Sequence, residues 1–208
     1  MNIDIQTYQG EGLAAEIGKL SEFRQQYFRE YPYLYAGMED HLQKHNAEQK
    51  YIARYIADPT ARLLLVRDMD AGNKVVGIAI GTRLSQEQEI LRQAGEQLHH
   101  HRIVPEQFFY FGEMIFVPEY RNKGLGKQTL ETLKNAGKEQ GCSHFCFLAV
   151  ERESSDARRP AGYVDSDMIF QKMGFEKTSI AVQFDWPTIQ ADGSVETVIN
   201  HLAFWVNR

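Results

Sequence analysis

Arg121, Lys123 and Lys127 surround Gly124 and Gly126 in one short turn, and these residue types suit a phosphate-bearing ligand. The cations supply charge, and the glycines, lacking a Cβ, let a ligand approach the backbone closely. An apolar run from Phe108 to Val117 stops at Pro118 just before the turn, and Lys127 to Gln140 reads as a helix just after it. Strand, glycine turn and helix N-terminus together present unpaired backbone N–H groups, the makings of a pyrophosphate cradle. The spacing fits neither common nucleotide motif. No Gly-x-x-x-x-Gly-Lys-Ser/Thr segment occurs, and the dinucleotide fingerprint would need a third glycine and an acidic residue about 20 positions on. The alternative is a surface turn between a core strand and a helix.

Proton chemistry has few candidates. Glu113 is the one carboxylate inside the strand before the turn, placed to accept a proton or, equally, to be paired or solvated at a strand edge. Glu151, directly after a second strand, is the runner-up and reads more as a rim charge. Tyr31, Tyr33 and Tyr35 alternate on one side of an extended segment, where they could wall a cleft or pack a core. His99, His100 and His101 are adjacent, so they project in different directions and lack Cys, Asp or Glu ligands at useful spacing; no metal site is expected.

The elements that carry these residues follow from periodicity. Leu13, Ile17, Leu20, Phe23 and Tyr27 recur at helical spacing and predict a first helix over about 11–28. A second helix carrying Tyr51, Ile52, Tyr55 and Ile56 stops at Asp58-Pro59. Leu63–Arg67 and Val75–Gly81 read as two strands, and the polar stretch 84–104 as a helix and loop that need not belong to the core. Ser143–Val150 is a further strand, Met168–Phe175 a short helix ending at Gly174, and Ala181–Trp186 with Thr197–Val206 a hairpin about Asp192-Gly193.

Composition bounds the classes. The chain has 208 residues, 43% hydrophobic and 25% charged, with 23 basic and 28 acidic residues giving a net charge of −5. That suits one domain spanning 1–208 and leaves no electrostatic footprint for nucleic acid. No apolar run approaches a membrane span, and the N-terminus lacks a signal peptide's basic and apolar regions. Cys142 and Cys146, about 13 Å apart if extended, cannot form a disulfide within the strand; free thiols in a cytoplasmic protein are expected.

Arg121-x-x-Gly124-x-Gly126, followed by a helix, the strand 143–150 and the segment Met168-Ile-Phe-Gln-Lys-Met-Gly-Phe175, resembles the GNAT N-acetyltransferase superfamily over residues 108–175. The resemblance implies an α/β (α+β) fold, a mixed and mostly antiparallel sheet flanked by helices. It implies acetyl-CoA as acyl donor, with Arg121, Asn122, Lys123, Gly124, Leu125, Gly126 and Lys127 at the pyrophosphate. The strand residues Met114, Ile115, Phe116 and Val117 would then pair with the pantetheine arm.

The implied activity is acetyl transfer to a primary amine, on a small molecule or a peptide, by direct attack in a ternary complex. Glu113 would be the catalytic base. The family's acidic tyrosine is replaced by Phe170, which would still line the cofactor, and Tyr163 is the candidate substitute acid. The missing hydroxyl leaves a non-catalytic acyl-CoA sensor as the alternative. The phrases around 28–35, 111–113 and 149–152 also resemble a bacterial subgroup of unassigned substrate. Monomer and homodimer both stay open.

Overall fold

The computed structural model describes residues 1–37 and 48–208, together with the backbone of 41–47. In chain order the elements are β1 (Ile3–Tyr8), α1 (Gly10–Glu16), α2 (Gly18–Tyr27), α3 (His41–Ile56), β2 (Arg62–Asp68) and β3 (Lys74–Arg83). Then come α4 (Gln88–His100), β4 (Phe108–Phe116), α5 (Leu125–Glu139), β5 (His144–Val150), α6 (Asp167–Lys172), β6 (Glu176–Ile189) and β7 (Val195–Asn207). The strands form one seven-stranded sheet in the order β1-β2-β3-β4-β5-β7-β6. Every neighbouring pair is antiparallel except β4 and β5. This is the mixed, mostly antiparallel α/β sheet that the sequence led us to expect.

Helices cover both faces. Leu13, Ile17, Leu20, Phe23, Ile52 and Tyr55 from α1 to α3 pack on Leu63, Leu65, Val76, Ile78 and Ile80 of β2 and β3. On the opposite face Leu130 and Leu133 of α5 meet Leu64, Ala79, Phe109, Phe111, Phe145 and Trp205. Gly137 lets α5 lie close to β4, since a Cβ there would come within 2.8 Å of the Phe109 ring.

Three local readings are corrected. The helix expected over 11–28 is two helices, divided at Ile17-Gly18, although Leu13, Ile17, Leu20 and Phe23 of the expected stripe are buried and Tyr27 is half-buried. The strand Ile3–Tyr8 was not expected; it is short and half-buried at the sheet edge, where apolar patterning is weak. The stretch 84–104 belongs to the core, because Ile90, Ala94 and Leu98 of α4 are buried beside Tyr110, Ile180 and Val182. Polar residues cover only the outer side of that helix, which hid its apolar stripe. Gln93 of α4 also grips the edge strand β6, donating to the Gln183 carbonyl (2.7 Å) and accepting from its N–H (2.8 Å). His99 and His100 end α4, His101 comes next, and no cluster of potential metal ligands occurs among the described residues. Cys142 and Cys146 are free and buried.

Two irregularities in β4 shape the middle of the sheet. Ile80 and Gly81 are consecutive on β3 but pair with Glu113 and Phe111, so Gly112 is an extra residue, a β-bulge. Pairing of β4 with β5 ends at Phe111 and Phe147. Beyond that point β5 stays paired with β7 through Val150, while β4 stays paired with β3 through Phe116. The sheet therefore splits between its two parallel strands.

Candidate active site at the sheet split

The glycine turn lies at the start of α5. Gly124 is the N-cap in the left-handed conformation (φ 81°), which explains a glycine there without any ligand. Gly126 has no such need. A Cβ added to it would find only the edge of the Phe116 ring, at 4.0 Å, so the space beside it is open. The N–H groups of the first helical turn have no intrahelical acceptor, and Asn122, Lys123, Gly124 and Lys127 are exposed around them.

Arg121 is held in place. Its Nε donates to the Phe116 carbonyl (3.0 Å) and its guanidinium pairs with Glu30 (2.5 Å), so it ties β4 to the turn. Lys123 lies over the Tyr120 ring, 5.3 Å from its centroid. Along β4, Met114 packs toward the α5 face, whereas Ile115 and Val117 are buried against α1–α3 with Leu125 beside them. The split gives alternate backbone groups of this stretch no strand partner on the β5 side.

Across the sheet, a cavity of 340 Å³ opens under α2 and α3. Gly112 and Leu148, the first residues past the end of β4–β5 pairing, both line it. Phe28, Tyr33, Tyr35, Tyr51, Tyr110 and Trp186 form aromatic walls. Tyr33 is fixed by stacking on Phe28 (4.2 Å between centroids), and the Trp186 indole donates to the Tyr33 carbonyl (3.1 Å). Arg152 ties down the same segment through the Pro32 carbonyl (2.9 Å) and the Asn200 side chain (2.6 Å). Burial pushes the Tyr33 and Tyr35 hydroxyls up to about 12, so both are neutral donors at physiological pH.

Glu113 stands at the base of this cavity, brought onto the Tyr110 face by the Gly112 bulge. Its side chain is only 7% exposed. Oε1 accepts from the Arg24 guanidinium and from the Tyr51 hydroxyl, while Oε2 is buried and has no hydrogen-bond partner among the described residues. Arg24 also faces Glu48 (3.4 Å), which in turn accepts from Ser21 (2.8 Å) and Tyr35 (2.9 Å). A second pair joins the exposed Arg54 to the buried Glu87 (2.9 Å), and burial raises the Glu87 carboxyl despite that neighbour. Both guanidinium groups lie over Tyr51, at 3.9 Å for Arg24 and 4.5 Å for Arg54.

The remaining expected residues lie outside the cavity. Glu151 is exposed and ion-paired with Lys177. Phe170 packs edge-on against Phe147 (4.7 Å) and Trp205 (5.2 Å). Tyr163 packs on Tyr31 (4.7 Å) with Arg159 over its ring, and it does not line the cavity. Sequence reasoning missed Arg24, Glu48, Arg54 and Glu87. The available signal was charge within otherwise apolar helical stripes, such as Arg24 following Leu20 and Phe23.

Solved structures share this architecture at low identity. The polyamine N-acetyltransferase of Drosophila melanogaster, an enzyme that forms N-acetylagmatine, aligns with a TM-score of 0.60 and 12% identity, covering 99% of each chain. A GNAT family acetyltransferase of Elizabethkingia anophelis with acetyl-CoA bound gives 0.55 and 12%, covering 100% of this chain and 98% of that one. The PaiA N-acetyltransferase of Thermoplasma acidophilum in complex with coenzyme A gives 0.54 and 13%, covering 100% and 99%. No curated protein matches the sequence. The acetyltransferase (GNAT) family pattern matches residues 20–160, which takes in the split strands, the glycine turn and most of the cavity lining, and the chain belongs to that family.

Proposed function

We propose that the protein moves an acetyl group from acetyl-CoA to a small primary amine, by direct attack within a ternary complex. The observation that supports this most is the split itself. It leaves β4 backbone free beside the α5 turn on one face and opens into the aromatic cavity at Gly112 and Leu148 on the other. Structures with the same fold hold coenzyme A or acetyl-CoA. The residues here fit that donor: open space beside Gly126, helix N–H groups, and exposed Lys123 and Lys127 for the pyrophosphate.

Each side of the site has its task. The free β4 backbone orients the pantetheine arm and offers an N–H to the developing oxyanion. The cavity is lined by Glu48, Glu87, Glu113 and Asp185 against Arg24 and Arg54, so its balance favours a cation. An alkylammonium with a pKa of about 10.4 must lose a proton before attack, and Glu113, directly or through an intermediary, takes it. Tyr163 lies apart from the cavity, so the thiolate departs without a tyrosine acid; a thiol pKa of about 8.5 makes that tolerable. We place the chain as a single cytoplasmic domain; no helix of the described residues is long and apolar enough to cross a membrane.

One observation favours a second reading, a non-catalytic acyl-CoA sensor: Phe170 carries no hydroxyl where the family has its tyrosine. Acetyl-CoA turnover with tyramine, phenethylamine, agmatine, spermidine and lysine peptides, monitored by thiol release, separates the two. Release with at least one amine is expected. Tight coenzyme A binding with no release on any of them would establish the sensor.

A further inference from the structure

The enclosure of Glu113 poses a chemical problem. Neither of its oxygens is readily reached by a substrate: Oε1 is taken by Arg24 and Tyr51, and Oε2 is buried. The Tyr51 hydroxyl is the group that links them. It lines the cavity and donates to Glu113. We infer that Tyr51 is a catalytic residue, relaying the proton from the acceptor ammonium to the buried Glu113 carboxylate.

The surroundings of Tyr51 are built for this. Guanidinium groups flank its ring, Arg24 from α2 at 3.9 Å and Arg54 from α3 at 4.5 Å, so negative charge developing on the oxygen is stabilised. The Tyr55 hydroxyl, fixed by Arg54 (2.6 Å), lies 3.4 Å from the Tyr51 oxygen. Tyr51 thus has a bonded acceptor in Glu113, neighbouring positive charge from two elements, and a place in the cavity wall. A tyrosine placed only for packing needs none of the three.

The step balances. One ammonium N–H bond breaks as an O–H bond forms on Tyr51, and the original Tyr51 O–H bond breaks as an O–H bond forms on Glu113. A cation and a carboxylate become a neutral amine and a neutral acid. Attack then releases a second proton, which the departing thiolate takes, and Glu113 returns its own to solvent before the next turnover.

This rests on the proposed acetyltransferase activity, and the test separates the two. Tyr51→Phe keeps the ring between the guanidinium groups and removes only the hydroxyl. With the panel amine that wild type turns over, tyramine first, kcat should fall about 10²-fold while coenzyme A affinity and melting temperature hold. Adding Tyr51→Phe to Glu113→Gln should cost little more, because the pair acts as one unit. In wild type the proton inventory of kcat should curve, reporting two protons in flight, and it should become linear in Tyr51→Phe. A merely structural hydroxyl would not change that curvature. Near-wild-type kcat in Tyr51→Phe beside a crippled Glu113→Gln overturns the relay and leaves Glu113 as base. Losses that multiply in the double variant also overturn it. A wild-type chain inactive on every panel amine overturns both readings.

Discussion

Tyr110 and Glu113 line the same cavity although a regular strand would turn their side chains to opposite faces, because Gly112 is an extra residue between them. The bulge has a tight neighbour: a Cβ on Gly112 would meet the Tyr55 hydroxyl at 2.7 Å and Ile80 at 3.4 Å. Gly112→Ala should therefore cost about 1–3 kcal/mol, lowering the melting temperature by roughly 2–12 °C, and should depress turnover further by moving Glu113. Thermal denaturation and thiol release measure the two effects. Unchanged melting would show that Tyr55 yields freely.

Gly126 and Gly124 separate ligand demands from backbone demands. Gly126→Val fills open space in a helical backbone, so the protein should fold while coenzyme A affinity drops at least about tenfold, read by calorimetry. Gly124→Val should also strain the left-handed cap by about 1–2 kcal/mol. Unaltered affinity in a folded Gly126→Val protein would remove the cradle from the turn.

Glu113→Gln should reduce kcat about 10²-fold or more with cofactor affinity nearly constant. Arg24 keeps Glu48 as a partner, so the fold should survive the lost charge. Turnover like wild type from pH 6 to 9 would move proton acceptance to Glu151 or to water.

Phe170→Tyr and Tyr163→Phe bear on the leaving group. Phe170 is packed between Phe147 and Trp205, and Tyr163 lies against Tyr31. Each substitution should change kcat less than about tenfold, short of the contribution of about 10²–10⁴ from a working general acid. A large loss in Tyr163→Phe would restore that hydroxyl to the mechanism.

Acid stability has an identifiable contributor. Asp156 accepts from Arg158 at Nε (2.8 Å), at Nη2 (2.6 Å) and at the backbone N–H (2.9 Å), which holds its carboxyl down to about 2. Its folded pKa lies below its unfolded value of about 3.9, so its stabilisation is complete above pH 4 and lost as pH falls toward 2. Allowing for solvent screening, it is worth about 1 kcal/mol. The stability difference between wild type and Asp156→Asn should be present at pH 6 and vanish by about pH 2. A difference that persists at pH 2 would mean packing rather than charge.

The α5 turn could be read from sequence because strand, turn and helix are contiguous there, and contiguity makes local rules sufficient. The cavity could not. Glu113 meets Tyr51 across 62 positions and Arg24 across 89, and no periodicity reports such pairings. The strand–helix order from Phe108 to Phe175 was legible in full, whereas β1 and the buried role of α4 depended on neighbours that the pattern does not name. The bulge was equally hidden, since a lone glycine in an apolar run signals several geometries.

The grip of Gln93 on Gln183 has its own consequence for assembly. An open edge of a sheet invites another copy of the chain to continue it, and here one side-chain amide occupies both main-chain groups of Gln183. A second molecule docking along β6 would first have to displace α4, which is anchored by Ile90, Ala94 and Leu98. Growth of the sheet past that strand is therefore blocked by a helix whose surface looks, in sequence, like mere solvent-facing decoration.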